Sequence, residues 1–185
     1  MMPAWDKSWE KVYQTQGYRA KYPNEELVRY ISRLYKPFDS TSREKVKILE
    51  VGCGPGAHTW YLSREGFSVY SVDGSPTAIA TARKRLYSEG LEAELILGDL
   101  VELPYPDNNF DGAIDVAAME CNTLENIKRI LSEAYRVLRP GGKFFSFAIK
   151  VGSYGYGQGD QIEDNTVHQY QGGAPPGARH NPLFQ

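Results

Sequence analysis

The sequence predicts an α/β fold: a doubly wound, mostly parallel sheet with helices on both faces. Two observations carry that prediction. Strand-like and helix-like segments alternate through residues 46–149, the pattern of right-handed βαβ units. Acids then recur where four successive strands should end, at Glu50, Asp73, Asp99 and Asp115. In an open parallel sheet ligands bind beyond the carboxyl ends of the strands, so this fold would gather the four acids along one rim.

The elements can be justified in chain order. Residues 1–23 form an aromatic-rich arm with Trp5, Trp9, Tyr13, Tyr18 and Tyr22. Trp9 and Tyr13 share a face if this stretch is helical, and the arm either packs on the body or covers a pocket. Pro23-Asn24 opens a helix with Leu27, Val28, Ile31, Leu34 and Tyr35 at helical spacing, and Pro37 stops it. Residues 38–45 read as a polar linker. A buried strand is predicted over 46–51, a glycine turn next, and a helix over 59–64 that ends at Gly66. A second strand, 68–72, runs into Asp73-Gly74-Ser75-Pro76, where Ser75 suits an N-cap and Pro76 the first helical position. The helix that follows carries Ala78, Ile79, Ala82 and Leu86 and ends at Gly90. A third strand, 93–97, leads to Gly98-Asp99, and prolines keep 103–109 a loop. The fourth strand is 113–116. The clearest helix is 123–138, with Ile127, Ile130, Leu131, Ala134, Val137 and Leu138 in one stripe. Residues 139–142 end it, and 143–149 form a fifth strand. The segment 151–185, rich in glycine and proline, predicts a flexible tail, so the chain divides into arm (1–23), ligand-binding domain (24–150) and tail (151–185).

Composition bounds the partners. Hydrophobic residues are 41%, charged residues 24%, and the net charge is −2, which gives no electrostatic basis for a nucleic-acid or membrane-surface partner. No apolar run approaches the roughly 20 residues that span a bilayer, and the N-terminus lacks the layout of a secretory signal. Two cysteines, Cys53 and Cys121, with no closely spaced His or Cys partner, make neither a disulfide framework nor a metal site. A cytoplasmic protein with a small-molecule partner is the expectation.

Residues 48–56, Ile-Leu-Glu-Val-Gly-Cys-Gly-Pro-Gly, are the most informative stretch. A strand that ends in three alternating glycines can bring bare backbone against a ligand. Glu50 before the first glycine suits a cation or a sugar hydroxyl better than a pyrophosphate. A carboxylate at Asp73 can accept two hydroxyl hydrogen bonds, as a ribose diol would offer, and Asp99 could accept from an adenine amino group. Glu50 and Asp115 would add negative field near a bound cation. Asp107 and Asp111 read as turn residues.

Glu50-Val-Gly52-Cys-Gly54-Pro-Gly56 resembles the first motif of class I S-adenosylmethionine-dependent methyltransferases. Val72-Asp73 resembles their second motif. Gly98-Asp99, with Leu103-Pro104 and Phe110-Asp111, resembles the third and fourth, and residues 137–143 resemble the segment that follows. The resemblance covers about residues 25–149 and implies a Rossmann-like fold, S-adenosylmethionine as cofactor, and S-adenosylhomocysteine as product. It also implies that Gly52, Gly54 and Gly56 pass under the methionine part, with Asp73 on the ribose and Asp99 on the adenine. Cys53, Gly74, Ser75, Leu100 and Asp115 complete the implied cofactor site. Trp9-Glu-Lys-Val-Tyr13 and Tyr22-Pro23-Asn24 are similar to an arm that closes over the cofactor in small members, which adds Tyr13 and Tyr22.

In-line methyl transfer asks the protein mostly for alignment, worth up to roughly 7–11 kcal/mol. A general base would add ~10²–10⁴-fold for a protonated acceptor, and Asp115, Glu120, Cys121 and His168 are the candidates for it. His168 alone has an unperturbed pKa near neutrality. Tyr154 and Tyr156 could line an acceptor pocket. Cys53 and Cys121 read as packing residues. Family members continue past the fifth strand with closing antiparallel strands, whereas 36 residues follow Ile149 here. Truncated or absent closing strands would leave a sheet edge open to homodimerisation. Two other readings stand beside the methyltransferase: a cofactor-binding regulatory or assembly protein without transferase activity, and an NAD-dependent oxidoreductase. Gly52-x-Gly54-x-x-Ala57 satisfies the looser dinucleotide fingerprint, but Glu50 and Asp99 argue against it.

Overall fold

The computed structural model describes residues 5–15, 21–148, 160–164 and 166–168. Its centre is a five-stranded sheet of β1 (Lys47–Val51), β2 (Ser68–Asp73), β3 (Glu94–Leu97), β4 (Phe110–Val116) and β5 (Leu138–Phe147). The strand order is β3-β2-β1-β4-β5 and every pairing is parallel. The order reverses between β1 and β4, so the crevice of the doubly wound fold opens beyond the carboxyl ends of these two strands. Asp99, Asp73, Glu50 and Asp115 thus follow one another across a single rim, as the alternation of elements predicts.

Helices cover the sheet: α1 (Ser8–Thr15), α2 (Glu25–Leu34), α3 (Ser40–Arg43), α4 (Ala57–Arg64), α5 (Pro76–Ser88) and α6 (Leu124–Val137). Their starts follow local chemistry. Asn24 accepts from the backbone N–H groups of Glu26 and Leu27, Ser75 accepts from Ala78, and Thr123 accepts from Asn126. Both faces of the sheet are buried. On one face Leu27 and Ile31 of α2 pack with Tyr35, Ile48, Leu62, Phe67, Val69 and Ile114. On the other, Leu49, Val51 and Val72 pack with Leu103, Tyr105, Phe110, Ala113 and Val137. The 103–109 loop joins this second layer: Arg136 of α6 donates to the carbonyls of Leu103 and Tyr105 and pairs with Glu133 and Asp107.

Several features differ from the sequence expectation. Residues 38–45 contain the short helix α3, capped by Asp39. A 3₁₀ turn, Met119–Cys121, follows β4. β5 starts at Leu138 rather than 143, because Leu138 pairs with Phe110 and Lys143 with Gly112, so a bulge absorbs residues 139–142. In the segment read as a flexible tail, β6 (Asp160–Glu163) and β7 (Thr166–His168) form an antiparallel hairpin. Among the described residues no helix is long and apolar enough to cross a membrane.

Candidate functional site

The site is built at the carboxyl ends of β1, β2 and β4. The ladder between β1 and β2 continues past Val51, as Gly52 and Cys53 both donate to the carbonyl of Val72, at 2.8 and 3.2 Å. The chain then turns through Gly52 and Gly56, whose φ values of 73° and 80° favour glycine. Space demands glycine as well. A Cβ on Gly52 would sit 2.2 Å from the Cβ of Ala118, and one on Gly56 would sit 2.7 Å from that of Ala82. The glycine turn is therefore wedged between the segment after β4 and helix α5.

Asp73 closes the turn from the side of β2. Its Oδ2 accepts from the N–H of Gly54 at 2.7 Å and its Oδ1 from the N–H of Ser75 at 2.8 Å. One carboxylate thus ties the glycine turn to the start of α5. Each oxygen keeps a further lone pair for a ligand hydroxyl. The group is 5% exposed. Burial pushes its pKa up to about 6, against the pull of the two backbone bonds, and the Glu50 and Glu10 carboxylates push the same way.

Glu50, 1% exposed, is fully engaged. Its Oε1 lies 2.9 Å from His58 Nδ1 and its Oε2 accepts from Thr59 Oγ1 at 2.5 Å, both partners coming from the first turn of α4. Thr59 is joined in turn to Ser71 at 2.9 Å. Asp115 is likewise engaged: Oδ1 accepts from the N–H groups of Ala118 and Met119, and Oδ2 from Ser146 Oγ at 2.8 Å. Burial raises its pKa while these bonds work to lower it. Asp115 thus organises the turn after β4, where Ala117 takes a left-handed φ of 59° and presents Ala118 to Gly52. Glu120 sits half-buried on the same turn. Asp99 accepts from the N–H of Val101 at 3.2 Å, and Leu100 reaches to 3.6 Å from the Cβ position of Gly52. The Cys53 thiol is buried, and its pKa is driven well up by burial with added push from Asp73 and Glu50, so it packs rather than attacks.

The arm reaches this cradle. Trp5 lies on Gly74, where a Cβ would fall 2.3 Å from its ring, and the Tyr13 hydroxyl is 3.1 Å from the Cβ position of Gly54. Tyr22, by contrast, stays 69% exposed beneath the Lys21 ammonium and is not gathered with the others. The backbone of His168 is in β7, but its side chain, like Tyr154 and Tyr156, lies outside the described residues. Among the described residues no group of three His, Cys, Asp or Glu side chains could hold a metal ion. Sequence reasoning missed His58, Glu10 and Trp5. Trp5 stood out only as an arm aromatic, and it and Glu10 act through contacts on α5 and its approach that lie far off in sequence, while His58 meets Glu50 from the first turn of α4.

These residues fit an S-adenosyl nucleoside. Asp73 offers lone pairs to a diol beside a glycine turn of bare backbone, with Trp5 and Tyr13 lying on Gly74 and Gly54, and the buried carboxylates suit a cation. Comparison with known proteins agrees. A family model described as a methyltransferase domain matches residues 48–142. A fatty-acid O-methyltransferase of Mycolicibacterium smegmatis is 33% identical over 148 residues, covering 75% of this chain and 53% of the relative. A demethylmenaquinone methyltransferase of Tropheryma whipplei is 37% identical over 98 residues, 52% of this chain and 39% of the relative. The chain thus spans about half the length, or less, of the curated relatives it matches. Among solved structures, the PH0226 protein of Pyrococcus horikoshii superposes with a TM-score of 0.60 at 26% identity, covering 77% of this chain and 63% of the other.

Proposed function

The chain belongs to the methyltransferase-domain family, of the class I type that uses S-adenosylmethionine, and on that premise we propose that it moves the cofactor's methyl group to an oxygen of an apolar small molecule. The observation that carries the reading is the Asp73 carboxylate, fixed by Gly54 and Ser75 beside three left-handed glycines. Relatives named for fatty acids and demethylmenaquinone support the class of acceptor. When bound, S-adenosylmethionine supplies a methyl group on a sulfonium whose departure leaves a neutral thioether.

The protein's own residues would hold and align. Asp73 would accept the ribose hydroxyls, Asp99 the adenine amino group, and the glycine turn would lie under the methionine part. Glu50, held by Thr59 and His58, would add negative field at the cation. Asp115 has both oxygens engaged within the protein, so it serves to shape the turn after β4. Glu120, on that turn, would take a proton from an acceptor that arrives with one.

Purified chain with S-adenosylmethionine should convert a long-chain fatty acid or a hydroxyquinone to its methyl ester or ether, read by mass spectrometry alongside S-adenosylhomocysteine. Tight S-adenosylhomocysteine binding with no turnover of either class would favour the cofactor-binding protein without transferase activity. Thermal stabilisation by NAD in place of S-adenosylhomocysteine would overturn the cofactor assignment.

A further inference from the structure

The arm is fastened to the body by one acid with an unusual number of bonds. Glu10 Oε2 accepts from the hydroxyl of Ser75 and from the N–H of Thr77 at 3.4 Å, while Oε1 accepts from Thr77 Oγ1 at 2.5 Å. All three donors stand at the start of α5, where the helix presents unsatisfied N–H groups and the positive end of its dipole. Gln14, one turn further along the arm, donates to the same carboxylate at 2.7 Å. These bonds hold the Glu10 carboxyl below the usual range, although burial works the other way.

On either side of Glu10 the arm lays an aromatic residue on the cradle: Trp5 on Gly74 and Tyr13 at Gly54. These two glycines flank the Asp73 carboxylate along its own hydrogen-bond path, through Gly54 N–H on one side and Ser75 N–H on the other. Further along, Arg85 of α5 donates to the carbonyl of Lys21 and stacks over Trp60 at 4.5 Å. The chain on both sides of residues 16–20 is therefore tied to the same helix.

We infer that Glu10 is the latch of a lid: by gripping the N-terminus of α5 it holds Trp5 and Tyr13 over the cofactor cradle, so that a bound cofactor leaves only when these bonds open. The inference rests on the cofactor reading above, but the latch can be tested without it. Glu10 is a positioning residue in this scheme, since it acts on the cofactor through the arm.

The experiment uses the full chain and two variants, Glu10→Ala and Thr77→Val. Lys7 and Lys11 are exposed on either side of Glu10, so trypsin reports how often the arm opens. Without cofactor, Glu10→Ala should speed cleavage there about tenfold, as expected for loss of bonds to a charged group. Thr77→Val should have a smaller effect that vanishes in the Glu10→Ala background. With S-adenosylhomocysteine, calorimetry should show affinity down about tenfold in Glu10→Ala, carried by a faster off-rate, as for most changes at an interface. Cleavage unchanged by Glu10→Ala overturns the latch. Tighter binding of S-adenosylhomocysteine by Glu10→Ala overturns the lid, because the arm would then be a plug. Wild-type chain that binds no S-adenosylhomocysteine overturns the cofactor reading instead, and the cleavage rates then decide the latch by themselves.

Discussion

Replacing Asp73 by asparagine separates what this carboxylate does for the fold from what it does for the ligand. Its folded pKa of about 6 lies above the ordinary 3.8 of an aspartate, so between these values the native chain holds the extra proton. Stability conferred by this group therefore falls as pH rises through the window. Each factor of ten in acidity is worth about 1.4 kcal/mol, which makes the charged form about 3 kcal/mol unfavourable at pH 7. Asparagine keeps the shape but never ionises. Its amide can satisfy only one of the two N–H donors, from Gly54 and Ser75, and that loss is the same at every pH. The difference in unfolding free energy between Asp73→Asn and wild type should thus move by about 3 kcal/mol in favour of the variant between about pH 3 and pH 7. Urea unfolding of both proteins across that range measures it, and titrations common to the two cancel. Over the same substitution, affinity for S-adenosylhomocysteine should fall at least tenfold, because each bond to a charged acceptor is worth roughly 1.5–3 kcal/mol. A stability difference that stays flat with pH would refute the buried-charge argument. Affinity kept within about threefold in a folded variant would remove Asp73 from the ribose.

Three further outcomes follow from the site. Gly52→Ala should destabilise by roughly 2–4 kcal/mol, combining left-handed strain with the contact on Ala118, and Ala118→Gly should restore part of it in a thermal melt. Thr59→Val should cost about 1–3 kcal/mol in urea unfolding, since Glu50 is 1% exposed and loses one of its two side-chain partners. Glu120→Gln should lower kcat by ~10²-fold or more while S-adenosylhomocysteine affinity stays constant, and an unchanged kcat would show that the acceptor needs no base from this residue.

The sequence made the sheet legible because its strands are short apolar runs punctuated by glycine and proline, and because α2, α5 and α6 carry their own caps at Asn24, Ser75 and Thr123. The rim of four acids was legible for the same reason, since position in a βαβ unit fixes which end a residue occupies. The role of each acid was less visible. Asp115 read as an acid near the end of β4 and a candidate base, but its oxygens are taken by Ala118, Met119 and Ser146, the last of these 31 residues away. Glu10 drew no reading of its own within the aromatic arm, because its partners lie 65 and 67 residues further on. Periodicity reports which face a side chain shares with its near neighbours, and says nothing of what a distant element brings to it. The early start of β5 was hidden likewise, because Arg139-Pro140-Gly141-Gly142 stops a helix locally while the pairing of Leu138 with Phe110 depends on β4.

The double bond of Asp73 to Gly54 and Ser75 has a consequence for how the protein can change. The two turns that would cradle the nucleoside are one rigid unit before any ligand arrives, so little ordering remains to oppose binding there. The turn after β4 touches that unit through the Ala118–Gly52 contact, and α6 and β5 follow that turn in the chain. A new acceptor pocket can therefore be built on those outer segments by insertion or substitution while the cradle keeps its shape. Such a division lets one nucleoside-binding frame serve many chemistries by exchanging the parts around it.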